Sequence, residues 1–431
     1  MEWTQLNVFQ RVVRKWDAHH PYNAAQVMRL EGRADAARLA QAWLETLADL
    51  GLGRVRVAGE WFQHQALNGN PSDVARMRQV SGAALCDFLT DELNRPFDTF
   101  DGFPFRAFAL DSGDCHYAGI VYHHWVADSA SIRRVIREWF LRRYEPSRAS
   151  RSPLEFPSHG YWHYFGPRNA RWELPDAVFG TVRWSARIRR ARRVDLPDFD
   201  SYRVHFSTHE LAEGLVEPLL AHARRRGATL NDVFIAALAE ACDVHRVVRL
   251  SRKRRDMVLG SIVDLRPMSR ADMSNLFGLF LGFTSVVCRP QDLVDWDQLL
   301  RRITAQSAMH RNSLAAQSSM IRMALGLVAH RIAGEEKMKN VYRKRLPIAG
   351  GVSNVNLNRD WAAEFHPSPL IDYIRVSPCG PMMPIVFTPT TLGNRLNFGL
   401  TCRDVVLPRC RSGAVADTFS NRLVRFADPG A

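Results

Sequence analysis

The sequence predicts a mixed α+β protein in two domains, and three observations carry that reading. Segments with strand periodicity and segments with helix periodicity alternate along the chain. The 431 residues exceed what one ordinary core holds and suit two domains of about 200 residues each. Hydrophobic residues make up 46% and charged residues 24%, so the composition is that of a globular protein with enough apolar surface for sizeable cores. Mean hydropathy is slightly negative, and no apolar run approaches the roughly 20 residues that cross a bilayer.

Taken in order, Gln5 to Trp16 reads as a helix, His19-His20-Pro21-Tyr22-Asn23 as a loop and Ala24 to Leu30 as a strand. Arg33 to Leu47 is rich in alanine and leucine at helical spacing, Val55 to Gln63 reads as one short strand, and Val80 to Asn94 as a helix. Turn residues around Pro96 and Pro104 precede Ala107 to Leu110, the expected hairpin partner of the aromatic and β-branched strand Cys115 to Tyr122. Next, Ile132, Val135, Ile136, Trp139 and Phe140 fall on one helical face, with Arg133, Arg134, Arg137 and Glu138 on the other; Asp128 or Ser129 is the natural N-cap. Between Tyr144 and Pro197 the chain turns to Pro, Ser, Arg and Trp with few periodic apolar positions, which marks a crossover between the domains. Beyond it come a strand (Ser201 to Leu211), a helix (Leu215 to Arg225), and a second helix (Val233 to Val247) capped by Thr229 or Asn231. Met257 to Val263 then reads as a strand running into Asp264-Leu265-Arg266-Pro267, followed by a loop with Asn275, Gly278 and Gly282 and the strand Thr284 to Cys288.

The chemistry concentrates at Tyr122-His123-His124-Trp125-Val126-Ala127-Asp128-Ser129, where a strand ends and a helix begins. A histidine and a carboxylate at fixed spacing on such a turn suit a general base presented by a rigid scaffold. The plainer alternative is a hydrogen-bonded core histidine beside a helix cap. A metal site needs three or four ligands, and no paired cysteine or His-x-x-x-His stands nearby, so none is expected. The other pair, His19-His20, has no aspartate at the same spacing. Cys86, Cys115, Cys242, Cys288, Cys379, Cys402 and Cys410 are scattered and odd in number, without Cys-x-x-Cys, which argues against a disulfide framework. The chain opens without the basic-then-apolar pattern of a secretory signal, so a cytoplasmic location is expected. Net charge is +14, with basic runs at Arg187–Arg193, Arg224–Arg226 and Arg252–Arg255. Such runs are most often solvated surface; as binding sites they would take a nucleic acid, a coenzyme A phosphate or an acidic carrier protein. Nucleic acid is not expected, because no helix-turn-helix, zinc finger or RNA-binding signature accompanies the charge.

His123-His124-Trp125-Val126-Ala127-Asp128 resembles the His-His-x-x-x-Asp-Gly signature of the superfamily of chloramphenicol acetyltransferase, plant-type acyltransferases, wax ester synthases and nonribosomal peptide condensation domains. Ser129 stands where that signature has glycine. Further resemblances lie at Phe103-Pro104-Phe105-Arg106-Ala107, Gly227-Ala228-Thr229-Leu230-Asn231-Asp232, Asp264-Leu265-Arg266-Pro267 with Asn275 and Gly278, and Ser353-Asn354-Val355-Asn356. The Arg-His-Glu-x-Leu-Arg motif of peptide-synthetase condensation domains has no counterpart between Leu47 and Val57, and the Asp-Phe-Gly-Trp-Gly motif of plant acyltransferases is absent, so the chain is an outlying member.

The resemblance implies an α/β sandwich of two acetyltransferase-like halves, residues 1–180 and 181–431, forming a pseudo-dimer with a tunnel between them. It implies an acyltransferase with His124 as general base, His123 fixing the loop, and Asp128 turned toward a buried arginine, for which Arg54 or Arg56 is the expected partner. Trp125, Ser129, Arg266 and Asn354 are the expected substrate contacts, although Arg266 also suits a structural ion pair. No tightly bound cofactor is implied; acyl-coenzyme A or a phosphopantetheine thioester on an acyl carrier protein is the donor, an alcohol or amine the acceptor, and a monomer the expected state. Phe277, Leu279, Phe280, Leu281 and Phe283 suit an apolar passage or plain core. The competing reading is a catalytically silent domain that docks a carrier protein; retention of both histidines and Asp128 favours activity. His123 and Asp128 also fit the His-x-x-x-x-Asp motif of membrane glycerolipid acyltransferases, but that family's phosphate-binding block and membrane segments are missing.

Overall fold

The computed structural model describes residues 3–428 apart from 68–75, 99, 167, 169–173, 197, 199, 250, 313–314, 345–346, 360 and 362–368. It divides into two units, each with its own sheets and helices, as the mixed composition of elements predicts. The first comprises Met1–Arg171, Leu265–Leu281 and Phe365–Pro378; the second comprises Trp172–Asp264, Gly282–Glu364 and Cys379–Ala431. The sequence reading cuts the chain once, near residue 180, whereas two later segments of the chain fold into the first unit.

The first unit holds a five-stranded sheet in the order Leu370–Val376, Asn23–Glu31, Cys115–His123, Phe105–Ser112, Arg78–Val80. The predicted hairpin is present, with Phe105 opposite Tyr122 and Ser112 opposite Cys115. Asn23 pairs with His123 on the other side, so the histidine strand lies in the sheet interior. Gly119 is required there: a Cβ would come within 2.7 Å of the Phe108 ring and 2.9 Å of the Gln26 carbonyl. The helix Ser129–Tyr144 buries Ile132, Val135, Ile136, Trp139 and Phe140 as the periodicity predicts. Trp139 packs on Trp43 at 5.3 Å and donates its indole N–H to the Leu39 carbonyl. Glu138, read from the sequence as solvent-facing, is buried instead because Arg142, Arg137 and the Ser150 N–H all bind its carboxylate.

A second, four-stranded sheet in this unit runs Thr4–Gln5, Trp61–Ala66, Gly53–Ala58, Asp101–Gly102. The stretch Val55 to Gln63, expected as one strand, is a hairpin. Gly59 at φ +59° makes its turn, a backbone state that favours glycine. The helix expected from Val80 starts only at Leu85, because Arg78–Val80 is drawn into the sheet beside Phe105–Ser112.

The second unit holds a sheet ordered Leu281–Cys288, Met257–Asp264, Ile348–Val352, Ile385–Leu392, Arg395–Arg403, Val204–Glu210, with Val355–Asn356 paired to Ile385–Leu392. The helix Leu230–Val244 is apolar nearly all round and accordingly buried, packed against Arg409–Ala427 and Trp296–Asn312. Thr229 caps it, and Asp232 returns a bond to the Thr229 N–H. Phe387, Phe398 and Phe419 form its aromatic centre, with ring centroids 4.6 to 5.4 Å apart. Inside the stretch read as a crossover lies a 17-residue helix, Leu174–Arg190, whose many arginines hid its periodicity. Among the described residues no helix is long and apolar enough to cross a membrane.

His64, on the strand Trp61–Ala66, is 4% exposed, with its ring 4.2 Å from Phe156 and 5.9 Å from Phe277. Burial pushes its pKa down to about 3 from 6.5. The unfolded chain therefore takes up a proton near pH 6.5 that the folded chain refuses until about pH 3. This contribution to stability is whole above pH 6.5 and is lost as pH falls, by about 1.4 kcal/mol per pH unit for one group. Urea midpoints measured from pH 7 to pH 5 should fall, and His64→Phe should flatten that fall by about one proton; an unchanged slope would show that His64 is not the sensor.

Candidate active site

His123 and His124 are neighbours on one strand end, so their side chains leave on opposite faces. Each ring meets a different set of partners. His123 is 1% exposed and fully engaged: its Nδ1 accepts the indole N–H of Trp125 at 3.0 Å, and its Nε2 lies 3.0 Å from Asp17 Oδ2. The Phe97 ring stacks on it at 5.4 Å. These contacts fix the ring.

His124 is arranged the other way. Its Nδ1 lies 2.9 Å from the Ala127 carbonyl. A carbonyl only accepts, so Nδ1 carries the proton and Nε2 carries the lone pair. The ring stacks parallel to Tyr22 at 5.8 Å and meets the edge of Tyr122 at 5.7 Å. Burial holds the His124 pKa below its usual value, against the opposing pull of the Ala127 carbonyl and Asp128. The imidazole is therefore neutral at pH 7 and able to accept a proton at Nε2.

Asp128 is fully buried and caps the helix Ser129–Tyr144 by accepting from the Ser131 N–H at 3.0 Å. Its partner is Arg266, not Arg54 or Arg56: Nη1 donates to Oδ2 at 2.7 Å and Nη2 to Oδ1 at 3.1 Å. Arg56 instead sits beside Asp101, on the neighbouring strand of the small sheet. The Phe280 N–H adds a bond to Oδ2 at 2.8 Å. Burial disfavours the charged carboxylate, but the Arg266 charge and the bonds from Arg266, Ser131 and Phe280 outweigh it, and the pKa lies below the usual range. Arg266 also reaches Ser131 Oγ at 2.9 Å and lies over the Phe280 ring. Phe277, Leu279 and Phe280 are buried in the first unit as core around this pair.

Ser129 replaces the signature glycine with a hydroxyl on which three donors converge: Gln26 Nε2 at 3.0 Å, Arg375 Nε at 3.1 Å and Arg133 Nη1 at 3.2 Å. Tyr373 donates to Gln26 Oε1. Burial, then the nearby Arg133 charge, pushes the Arg375 pKa down to about 9. Sequence reasoning missed Tyr22, Asp17, Gln26, Tyr373 and Arg375. Gln26 alone left a trace, as a lone amide in the apolar run Ala24-Ala25-Gln26-Val27-Met28. Of the expected substrate contacts, Trp125 and Arg266 give these donors to His123 and Asp128. Asn354 belongs to the second unit, with a buried Oδ1 that has no hydrogen-bond partner among the described residues.

One cysteine has nucleophile-like neighbours. Cys402 Sγ is 3.1 Å from His205 Nε2, and His205 Nδ1 meets Asp404. Yet Cys402 is fully buried, and that burial raises its thiol well above the ordinary range, so it is a core thiol and not a reactive one.

The sequence profile of the condensation domain family matches residues 6–315. A plipastatin synthase polypeptide of Bacillus subtilis (strain 168) is 24% identical over 242 residues, covering 54% of this chain and 9% of that protein. The chain spans less than a tenth of the length of the curated relatives it matches. The first condensation domain of the calcium-dependent antibiotic synthetase, solved with a substrate analogue, shares the fold at a TM-score of 0.68 and 16% identity, covering 100% of this chain and 98% of that one. The cyclization-docking bidomain of EpoB from Sorangium cellulosum superposes at a TM-score of 0.68 and 12% identity, covering 99% and 85%.

Breaking the Asp128–Arg266 pair strands a buried charge. Asp128→Asn should cost about 3 kcal/mol in urea unfolding, whereas Asp128→Asn with Arg266→Met should recover part of that loss. Additive costs in this double-mutant cycle would show that the pair is not coupled.

Proposed function

Because this chain belongs to the condensation-domain family, we propose that it transfers an acyl or peptidyl group from a thioester on a carrier protein's phosphopantetheine arm to an amine or hydroxyl acceptor. The observation that carries this reading is the 2.9 Å contact of His124 Nδ1 with the Ala127 carbonyl, from which we infer a neutral ring with its lone pair on Nε2. The acceptor's nitrogen or oxygen attacks the thioester carbonyl carbon while Nε2 removes its proton. The tetrahedral intermediate then collapses, the C–S bond breaks, and the imidazolium returns the proton to the departing thiolate. Products are an amide or ester and a free thiol, and the histidine is restored without a covalent enzyme intermediate.

In this reading Asp128 works through structure. Its capping bond and its pair with Arg266 hold the turn on which His124 is mounted, and His123 holds the same turn through Trp125 and Asp17. Backbone amides of the turn are the candidates to stabilise the oxyanion, with Ser129 and Asn354 as candidate substrate contacts. Acyl-coenzyme A ends in the same arm as a loaded carrier and is the second donor to test. The product belongs to secondary metabolism if the partners resemble those of the peptide synthetases that the chain matches.

Carrier-bound and coenzyme A thioesters offered with a panel of amines and alcohols should yield transfer product by mass spectrometry. His124→Ala should lower the rate by about 10² to 10⁴. The rate should stay level above neutral pH and fall only on the acid side of the ordinary histidine range, because His124 becomes protonated only below its lowered pKa. Full activity in a folded His124→Ala variant would overturn the reading and favour a silent carrier-docking domain.

A further inference from the structure

A cleft of about 590 Å³, counting space open to solvent, lies within the second unit. It is lined by the helices Leu174–Arg190, Trp296–Asn312 and Ala315–Ala333 and by the strand Leu281–Cys288. Its ionisable lining holds only basic types: Arg183 and Arg187, one turn apart on the first helix, and Arg322 on the third carry the charge, and His310 from the second stands among them. No acidic residue stands among the described lining residues. Arg187 opens the basic run whose purpose the transfer chemistry does not explain.

Arg322 is pinned in place. Nη1 donates to Ser318 Oγ at 2.9 Å and Nη2 to the Phe283 carbonyl at 3.2 Å, while the guanidinium lies over the Trp184 ring at 5.3 Å and the Phe283 ring at 4.8 Å. Its Nε and the Trp184 indole N–H are both buried with no hydrogen-bond partner among the described residues. The concentration of positive charge is visible in His310: burial, then Arg187, Arg322 and Arg183, pushes its pKa down to about 4. Thr284, Ser285 and Ser318 add hydroxyls to the lining, and Gln306 an amide that is bonded to the Val287 backbone. One guanidinium held in place, two more arginines beside it and several hydroxyls, without a lining carboxylate to neutralise them, match a tetrahedral dianion better than a neutral ligand.

We propose that this cleft binds a phosphoryl group, carried either by a free phosphorylated small molecule or by a phosphopantetheine arm. None of its lining residues belongs to the unit that carries His124, and the proposal does not depend on the transfer reaction. The test is titration of the whole chain with inorganic phosphate, 4′-phosphopantetheine and pantetheine, followed by calorimetry and by phosphorus NMR line broadening. Inorganic phosphate should bind, and Arg183→Gln with Arg187→Gln should weaken it roughly tenfold or more. Arg225→Gln, in a basic run outside the cleft, should leave binding unchanged. Arg183 is exposed, and a melting curve checks that the double variant is folded. Tighter binding of 4′-phosphopantetheine than of phosphate, with pantetheine inert, assigns the source to the arm. Equal affinity assigns it to free phosphoryl compounds. Absent phosphate binding, equal binding to wild type and the double variant, or equal binding of pantetheine overturns the proposal. The same titrations on His124→Ala should match wild type, so loss of transfer and loss of this site are read separately.

Discussion

The bidentate pair between Asp128 and Arg266 is the constraint on which the rest of the site depends. Asp128 closes the first turn of the helix Ser129–Tyr144 and is fully buried, so its charge persists only because a guanidinium and two N–H groups meet it. The pair joins two segments separated by 138 residues. Around it, Gly278 accepts from the Asp128 N–H and Leu279 from Tyr161 and Asn7. The Asp264-Leu265-Arg266-Pro267 phrase and the histidine phrase, separate in the sequence, thereby become two sides of one structural joint.

The adjacent histidines show how backbone and partner choice assign chemistry to identical side chains. His123 receives a donor on Nδ1 and faces a carboxylate with Nε2, which is the pattern of a ring used as a strut. His124 gives its Nδ1 proton to a carbonyl three residues on, which leaves the opposite nitrogen basic. The pleat separates the two environments, and the tight turn through Trp125 to Asp128 brings the Ala127 carbonyl back to the ring. Neither role needs an acidic partner touching His124.

What the sequence made legible follows from the range of each interaction. The strand into His123, the helix from Ser129, its Asp128 cap and the Thr229 cap depend on near neighbours, and local pattern was enough to read them. The Asp128 partner cannot be read that way, since only the folded chain brings residue 266 to residue 128; Arg54 and Arg56 lie in the Leu47 to Val57 stretch where the family's arginine motif has no counterpart, and nothing local ties either to Asp128. Arg375 meets Ser129 across 246 residues and left no local mark. Glu138 was misplaced for a related reason: charge predicts solvent until a buried arginine such as Arg142 is known. The helix Leu174–Arg190 was hidden because its arginine-rich surface breaks the apolar stripe from which helices are recognised.

The discontinuity of the first unit has a consequence for how the chain matures. Residues 265–281 supply Arg266, and residues 370–376 supply the outer strand beside Asn23–Glu31 that carries Arg375. During synthesis, the N-terminal 171 residues leave the ribosome with Asp128 still lacking its guanidinium and with one sheet edge still bare. The guanidinium follows only after residues 172–264 of the second unit, and the edge strand only after residues 282–364 as well. An N-terminal fragment ending near residue 171 is therefore not a separable domain but an unfinished one, prone to capture by a chaperone or by another exposed strand edge.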